Sequence, residues 1–132
     1  MTSGGTEHVA AASRHEVRQQ CLVRDANDAI ERQNDALPPG AARLPMRCEC
    51  GDPRCRQYVC PTHEEYEAIR VRGSQFVIGL NHENPETACV LRESARFSVI
   101  DVVDRDARYT ALARATRRAG RQTSPPRGGG RR

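Results

Sequence analysis

The segment MRCECGDPRCRQYVCPTHEEYEAIR, residues 46–70, brings Cys48, Cys50, Cys55, Cys60 and His63 into sixteen positions. Thiols at this density can bind a metal, close a disulfide or carry a redox exchange. Cys48, Cys50 and Cys55 form C-x-C-x4-C, and Gly51 directly after the second thiol allows a tight turn that presents three sulfurs to one point. A tetrahedral zinc site needs a fourth donor. His82 is favoured because its polar loop, NHENPE, follows an apolar strand and readily offers a side chain, while Cys60, His63 and the more distant Cys89 stay open as alternatives.

Three thiolates place more negative charge on zinc than its own two positive charges, which damps its Lewis acidity, so the expected role is structural and non-catalytic. An iron–sulfur cluster on Cys48, Cys50, Cys55 and Cys60 is the rival cofactor. The chain has neither the C-x-x-C nor the Trp-containing glycine turn of the small cluster-binding actinobacterial regulators, which favours zinc. Cys21 and Cys89 each lie in an apolar pattern and are expected to be small core residues without chemistry.

The elements that must position this knuckle follow from local signals. Residues 1–12 are small and polar and are expected to be disordered. SRHEVRQQCLVRDANDAIERQNDAL carries helical periodicity, with Leu22, Ala26, Ala29 and Ile30 on the stripe expected to dock and Arg24, Asp25, Asp28, Arg32 and Asp35 on the opposite side. LPPGAARLP ends that helix. LPMRCEC and CRQYVCP read as two short strands around the turn, after which Thr62 and Glu65 form a capping box that opens the helix HEEYEAIRV with Tyr66, Ile69 and Ala68 facing inward. GSQFVIGL reads as turn and strand, and TACVLRE with RFSVIDVVD as a hairpin, a helix over 85–94 being the alternative. The fold class is therefore α+β: an N-terminal helix, a metal-knuckle hairpin, a central helix and a small, mainly antiparallel sheet.

Composition sets the energetic frame. The chain has 132 residues, 37% hydrophobic, with no Trp and only three Tyr and two Phe, so apolar burial alone makes a weak core that a metal staple would reinforce. Residues 13–106 form one expected domain. From residue 107 the composition turns to RYTALARATRRAGRQTSPPRGGGRR, with eight Arg and no acid, leaving the body near −4 and the tail at +8 against a net +4. All 21 basic residues are Arg, which a GC-rich coding sequence explains. If helical, the segment aligns Arg114, Arg117, Arg118 and Arg121 in one basic stripe ahead of a flexible end, SPPRGGGRR.

CECGDPRC, THEEYEAIR and NHENPE together resemble a group of small, functionally uncharacterised actinobacterial proteins that share C-x-C-G-x-x-x-C, a Glu-Tyr-Glu helix and a later Gly-His-Glu loop. The resemblance spans roughly residues 21–103 and implies ligation by Cys48, Cys50 and Cys55, with His82 as fourth ligand and Glu83 beside it as a supporting group. Asn81 stands where that pattern has Gly, and Cys60 where it has an apolar strand residue, which keeps Cys60 open as a ligand. The resemblance implies no activity.

The chain has no glycine-rich phosphate loop, nucleophile elbow or H-E-x-x-H, and Glu64, Glu65 and Glu67 suit a helix N-terminus. Asp101, Asp104 and Asp106 read as a solvated strand end. No signal peptide or spanning segment is evident, so the expectation is a cytoplasmic protein with no membrane contact and no small-molecule substrate. The expected function is a zinc-stabilised binding or regulatory module whose Arg-rich tail contacts nucleic acid or an acidic protein surface. A thiol or metal redox sensor using the Cys cluster is the alternative.

Overall fold

A computed structural model describes the backbone of residues 2–34 and 43–123 and the side chains of 14–34 and 43–116. Helix α1 (Thr2–Gln33) is followed by strands β1 (Met46–Arg47) and β2 (Tyr58–Val59), helix α2 (His63–Arg70), strands β3 (Gln75–Ile78), β4 (Ala88–Glu93) and β5 (Ser98–Val102), and helix α3 (Arg105–Thr123). The α+β reading holds. β1 and β2 make one antiparallel hairpin, and the second sheet has the order β3-β5-β4, with both pairings antiparallel. No helix among the described residues is long and apolar enough to cross a membrane.

The hairpin β1–β2 is lengthened by the bridge Arg43–Thr62 and by the Leu44 N–H donating to the Pro61 carbonyl at 2.8 Å. Thr62 then caps α2 as its sequence dictates: its hydroxyl accepts from the Glu65 N–H and its own N–H donates to the Glu65 carboxylate at 2.8 Å. Tyr66 and Ile69 point inward, whereas Ala68 is exposed. TACVLRE and RFSVIDVVD form the β4–β5 hairpin, not a helix. Leu91 is the extra residue where the register slips between Val90 and Arg92, which leaves it exposed. Cys89, expected in the core, is exposed: in this register the β4 alternation buries Ala88 and half-buries Val90, which turns Cys89 outward.

The largest departure concerns α1. The buried stripe is Val17, Gln20, Cys21, Arg24, Asn27, Asp28 and Glu31, while Leu22 is 56% exposed and Ala26 also faces solvent. The helix is rotated relative to its apolar reading because its polar side chains have specific long-range partners. The Arg24 guanidinium donates to the Gly73 and Ala111 carbonyls at 2.7 and 3.1 Å and lies over the Phe76 ring. Asp28 accepts from the Tyr66 hydroxyl at 2.7 Å and from two Arg70 nitrogens at 2.8 Å. Each buried polar atom thus engaged avoids the desolvation cost of being left unmade. Asp25 and Arg32 do face outward, and Asp35 lies outside the described residues.

Helical backbone reaches back to Thr2, through a segment expected to be disordered; Ala10, Ala11 and Ala12, the strongest helix formers, favour it. At the other end, Asp104 accepts from the Ala107 N–H and caps α3, and Asp101 accepts from Ser74 and pairs with Arg108 at 2.9 Å. Ala107 and Ala111 are fully buried. The composition boundary at 107 therefore falls inside α3, whose first turns belong to the folded body. Arg114 is half-buried on this helix; the side chains of Arg117, Arg118 and Arg121 lie outside those described, as does the segment SPPRGGGRR.

Candidate metal centre

The knuckle is built where β1 runs out. The Cys48 N–H still donates across the hairpin to the Gln57 carbonyl at 3.0 Å, and the chain then turns at Gly51 with φ +89°, a backbone that L side chains rarely adopt. A Cβ at Gly51 would also stand 2.5 Å from Glu16 Cγ, so the turn is pressed against α1. Asp52 closes the loop: its carboxylate accepts the Arg54 N–H at 2.9 Å and its carbonyl accepts the Cys55 N–H at 3.0 Å, which returns Cys55 towards Cys48.

Glu49, between the first two thiols, docks this knuckle. It is fully buried; its N–H donates to the Val77 carbonyl at 2.9 Å, and its carboxylate accepts from the Val77 N–H at 3.0 Å and from Asn27 at 2.8 Å. The edge of β3 is thereby paired with the knuckle and tied to α1. Burial pushes the Glu49 carboxyl up to about 7, against the pull of Asn27, Val77, Arg24 and Arg70.

From β3 the chain delivers His82. The Gly79 N–H donates to Cys48 Sγ at 3.2 Å, and the His82 N–H donates to the Gly79 carbonyl at 3.2 Å, closing a turn. Asn81 takes φ +67° in that turn, the left-handed conformation for which Gly is best suited and Asn next.

The outcome is a convergence of Cys48, Cys50, Cys55 and His82, whose donor atoms all lie within 4.8 Å of one another. His82 Nδ1 is 3.3 Å from Cys48 Sγ and 3.6 Å from Cys55 Sγ. For a tetrahedral ion with metal–sulfur and metal–nitrogen bonds of zinc length, the sulfur–nitrogen separation is about 3.5 Å. The four side chains therefore fit a metal ion. Hydrogen bonding to Cys50 and burial push the Cys48 thiol up, while acceptance from Cys48 pulls Cys50 down to about 5 despite burial, so the cluster favours an anion on Cys50.

The alternative ligands lie elsewhere. Cys60 is exposed and outside the cluster, and Cys89 is on the edge of the second sheet. His63 turns to α1, with Nε2 3.2 Å from Glu31 Oε2. Glu83 is half-buried, and its Oε1 finds no hydrogen-bond partner among the described residues, so it does not support His82 in the expected way. Cys50, Cys55 and His82 open onto a cleft of about 920 Å³ that is also lined by His15 and Glu16 of α1 and by Arg54 and Arg56.

The sequence matches no family model, and neither the curated proteins nor the solved structures yield a match to it.

Proposed function

We propose that the protein is a non-catalytic module in which Cys48, Cys50, Cys55 and His82 hold a structural zinc ion, and that its Arg-rich C-terminal segment supplies contact with nucleic acid. The observation that carries the first part is the convergence of four donors from two separate chain segments on one point. Three thiolates and an imidazole are a soft-to-borderline set suited to zinc, and four protein donors complete a tetrahedral shell, which leaves the ion a folding role. It would clamp the knuckle to the β3 turn and so reinforce a core with few aromatic residues.

The nucleic-acid reading is supported by the separation of charge between an acidic body and a tail of +8. Helical backbone over Arg105–Thr123 gives Arg114, Arg117, Arg118 and Arg121 the spacing of a single stripe. Because Ala107 and Ala111 are core residues, the test replaces these four Arg with Gln and leaves the chain at full length. Gel-shift binding to duplex DNA or RNA should weaken steeply with salt in the wild type and be lost in the variant. Retention equal to wild type would overturn the reading, and binding only to an acidic protein would move the stripe to that partner class.

A redox-sensing role is a second reading, favoured by the partial exposure of Cys55 and His82 in the wall of the open cleft, a route by which an oxidant would reach the ligands. It requires peroxide to release zinc reversibly from folded protein; zinc that stays until denaturation would remove it.

A further inference from the structure

His63 lies outside the cluster formed by Cys48, Cys50, Cys55 and His82. It opens α2, and Glu67, one helical turn later, lies on the same face at the i,i+4 spacing that lets two side chains reach one point. Glu31 of α1 comes to meet them: its side chain is only 5% exposed, and its Oε2 lies 3.2 Å from His63 Nε2. One donor atom from each of Glu31, His63 and Glu67 falls within 4.8 Å of the other two.

We infer that Glu31, His63 and Glu67 form a second divalent-cation site, sharing no residue with the thiolate centre and joining α1 to α2. Two carboxylates and one imidazole neutralise a doubly charged ion and are a harder donor set than three thiolates, suited to manganese, iron(II), cobalt or zinc. Their arrangement differs from an ordinary ion pair in that His63 and Glu67 project from consecutive turns of one helix towards a carboxylate held from a second helix. His63 and Glu67 are only half-buried, so an ion can enter from solvent, and three protein ligands leave coordination positions for water. This inference is independent of the proposed zinc function.

The probe is Mn(II), which thiolates bind poorly, added to full-length protein as purified. Free Mn(II) is read from its electron paramagnetic resonance signal. The wild type should remove one Mn(II) per chain from solution. Glu67→Gln and His63→Ala should each weaken that binding by at least about tenfold, with unchanged far-UV circular dichroism. Glu64→Gln, on the same turn but outside the cluster, should bind as wild type. Mn(II) remaining free up to about millimolar concentration, or binding left intact in both cluster variants, would overturn the site and return His63–Glu31 to a plain helix–helix ion pair.

Discussion

The thiolate knuckle and the buried face of α1 are both polar structures inside a small protein, but they are specified in different ways. In the knuckle, eight consecutive residues from Cys48 to Cys55 supply three donors, and Gly51 and Asp52 supply the turns that gather them. Along α1, Arg24, Asn27 and Asp28 acquire partners 20 to 87 positions away, at Arg47, Tyr66, Arg70, Gly73 and Ala111. The first is a local chemical device whose donors fit a metal ion; the second is a polar network that only the finished fold satisfies. The difference predicts that damage to the knuckle is reported by the metal, whereas damage to the seam is reported by global stability.

Replacing Cys55 with Ser should have the largest effect. A structural zinc ion contributes on the order of 10 kcal/mol to the element it folds, so with the proposed zinc at this centre the variant should no longer hold the ion. Hydrogen exchange should accelerate at the Cys48 and Glu49 amides while the α1 amides near Asp28 keep more of their protection. Equal loss in both regions would merge the two into one cooperative unit.

Asp28→Ala attacks the other region. It strands the Arg70 guanidinium, whose side chain is 1% exposed, without its carboxylate. Such a loss costs about 3–5 kcal/mol, measurable by denaturant unfolding, with zinc stoichiometry unchanged. A cost near zero would mean that the seam is solvated and the burial of α1 misplaced.

Glu65 tests the boundary between α2 and the β4–β5 hairpin, where it accepts from the Thr62 N–H and pairs with Arg96 at 2.8 Å. Partial burial raises its carboxyl, but these two donors outweigh it and hold the pKa below the ordinary carboxylate value. A depressed acid contributes stability above its unfolded pKa and loses it as pH falls through the folded value. Glu65→Ala should therefore cost about 1 kcal/mol at neutral pH and progressively less in acid, as followed by urea unfolding across pH. A cost that grows on acidification would contradict the pairing.

The smallest effect sharpens the comparison most economically. If α1 docked by its apolar stripe, Leu22→Ala would cost about 2–5 kcal/mol. With Leu22 on the exposed face, the cost should stay within about 0.5 kcal/mol.

What could be read in advance divides along the same line. The capping box at Thr62 and Glu65, the positive φ at Gly51, the two hairpins and the pairing of His82 with the three thiols all follow from residue types a few positions apart or from one loop placed after one strand. The face of α1 does not, because hydrophobic periodicity places charges outward by default and Arg24 faces in only where Gly73 and Ala111 offer carbonyls. Glu49 was invisible for the same reason, since nothing near it in sequence marks the β3 edge as its partner. Cys89 was lost to a single residue of strand register, and the meeting of His63 with Glu31 to the relative placement of two helices.

The most direct test of the central claim is the metal content of the full-length protein, purified anaerobically without a metal-affinity tag and read by elemental analysis with a sulfide assay. One zinc per chain at the thiolate centre, lost in Cys55→Ser and in His82→Ala but kept in Cys60→Ser, is the predicted result. Iron with inorganic sulfide, or no metal in protein that nevertheless folds with its knuckle amides protected, would contradict it.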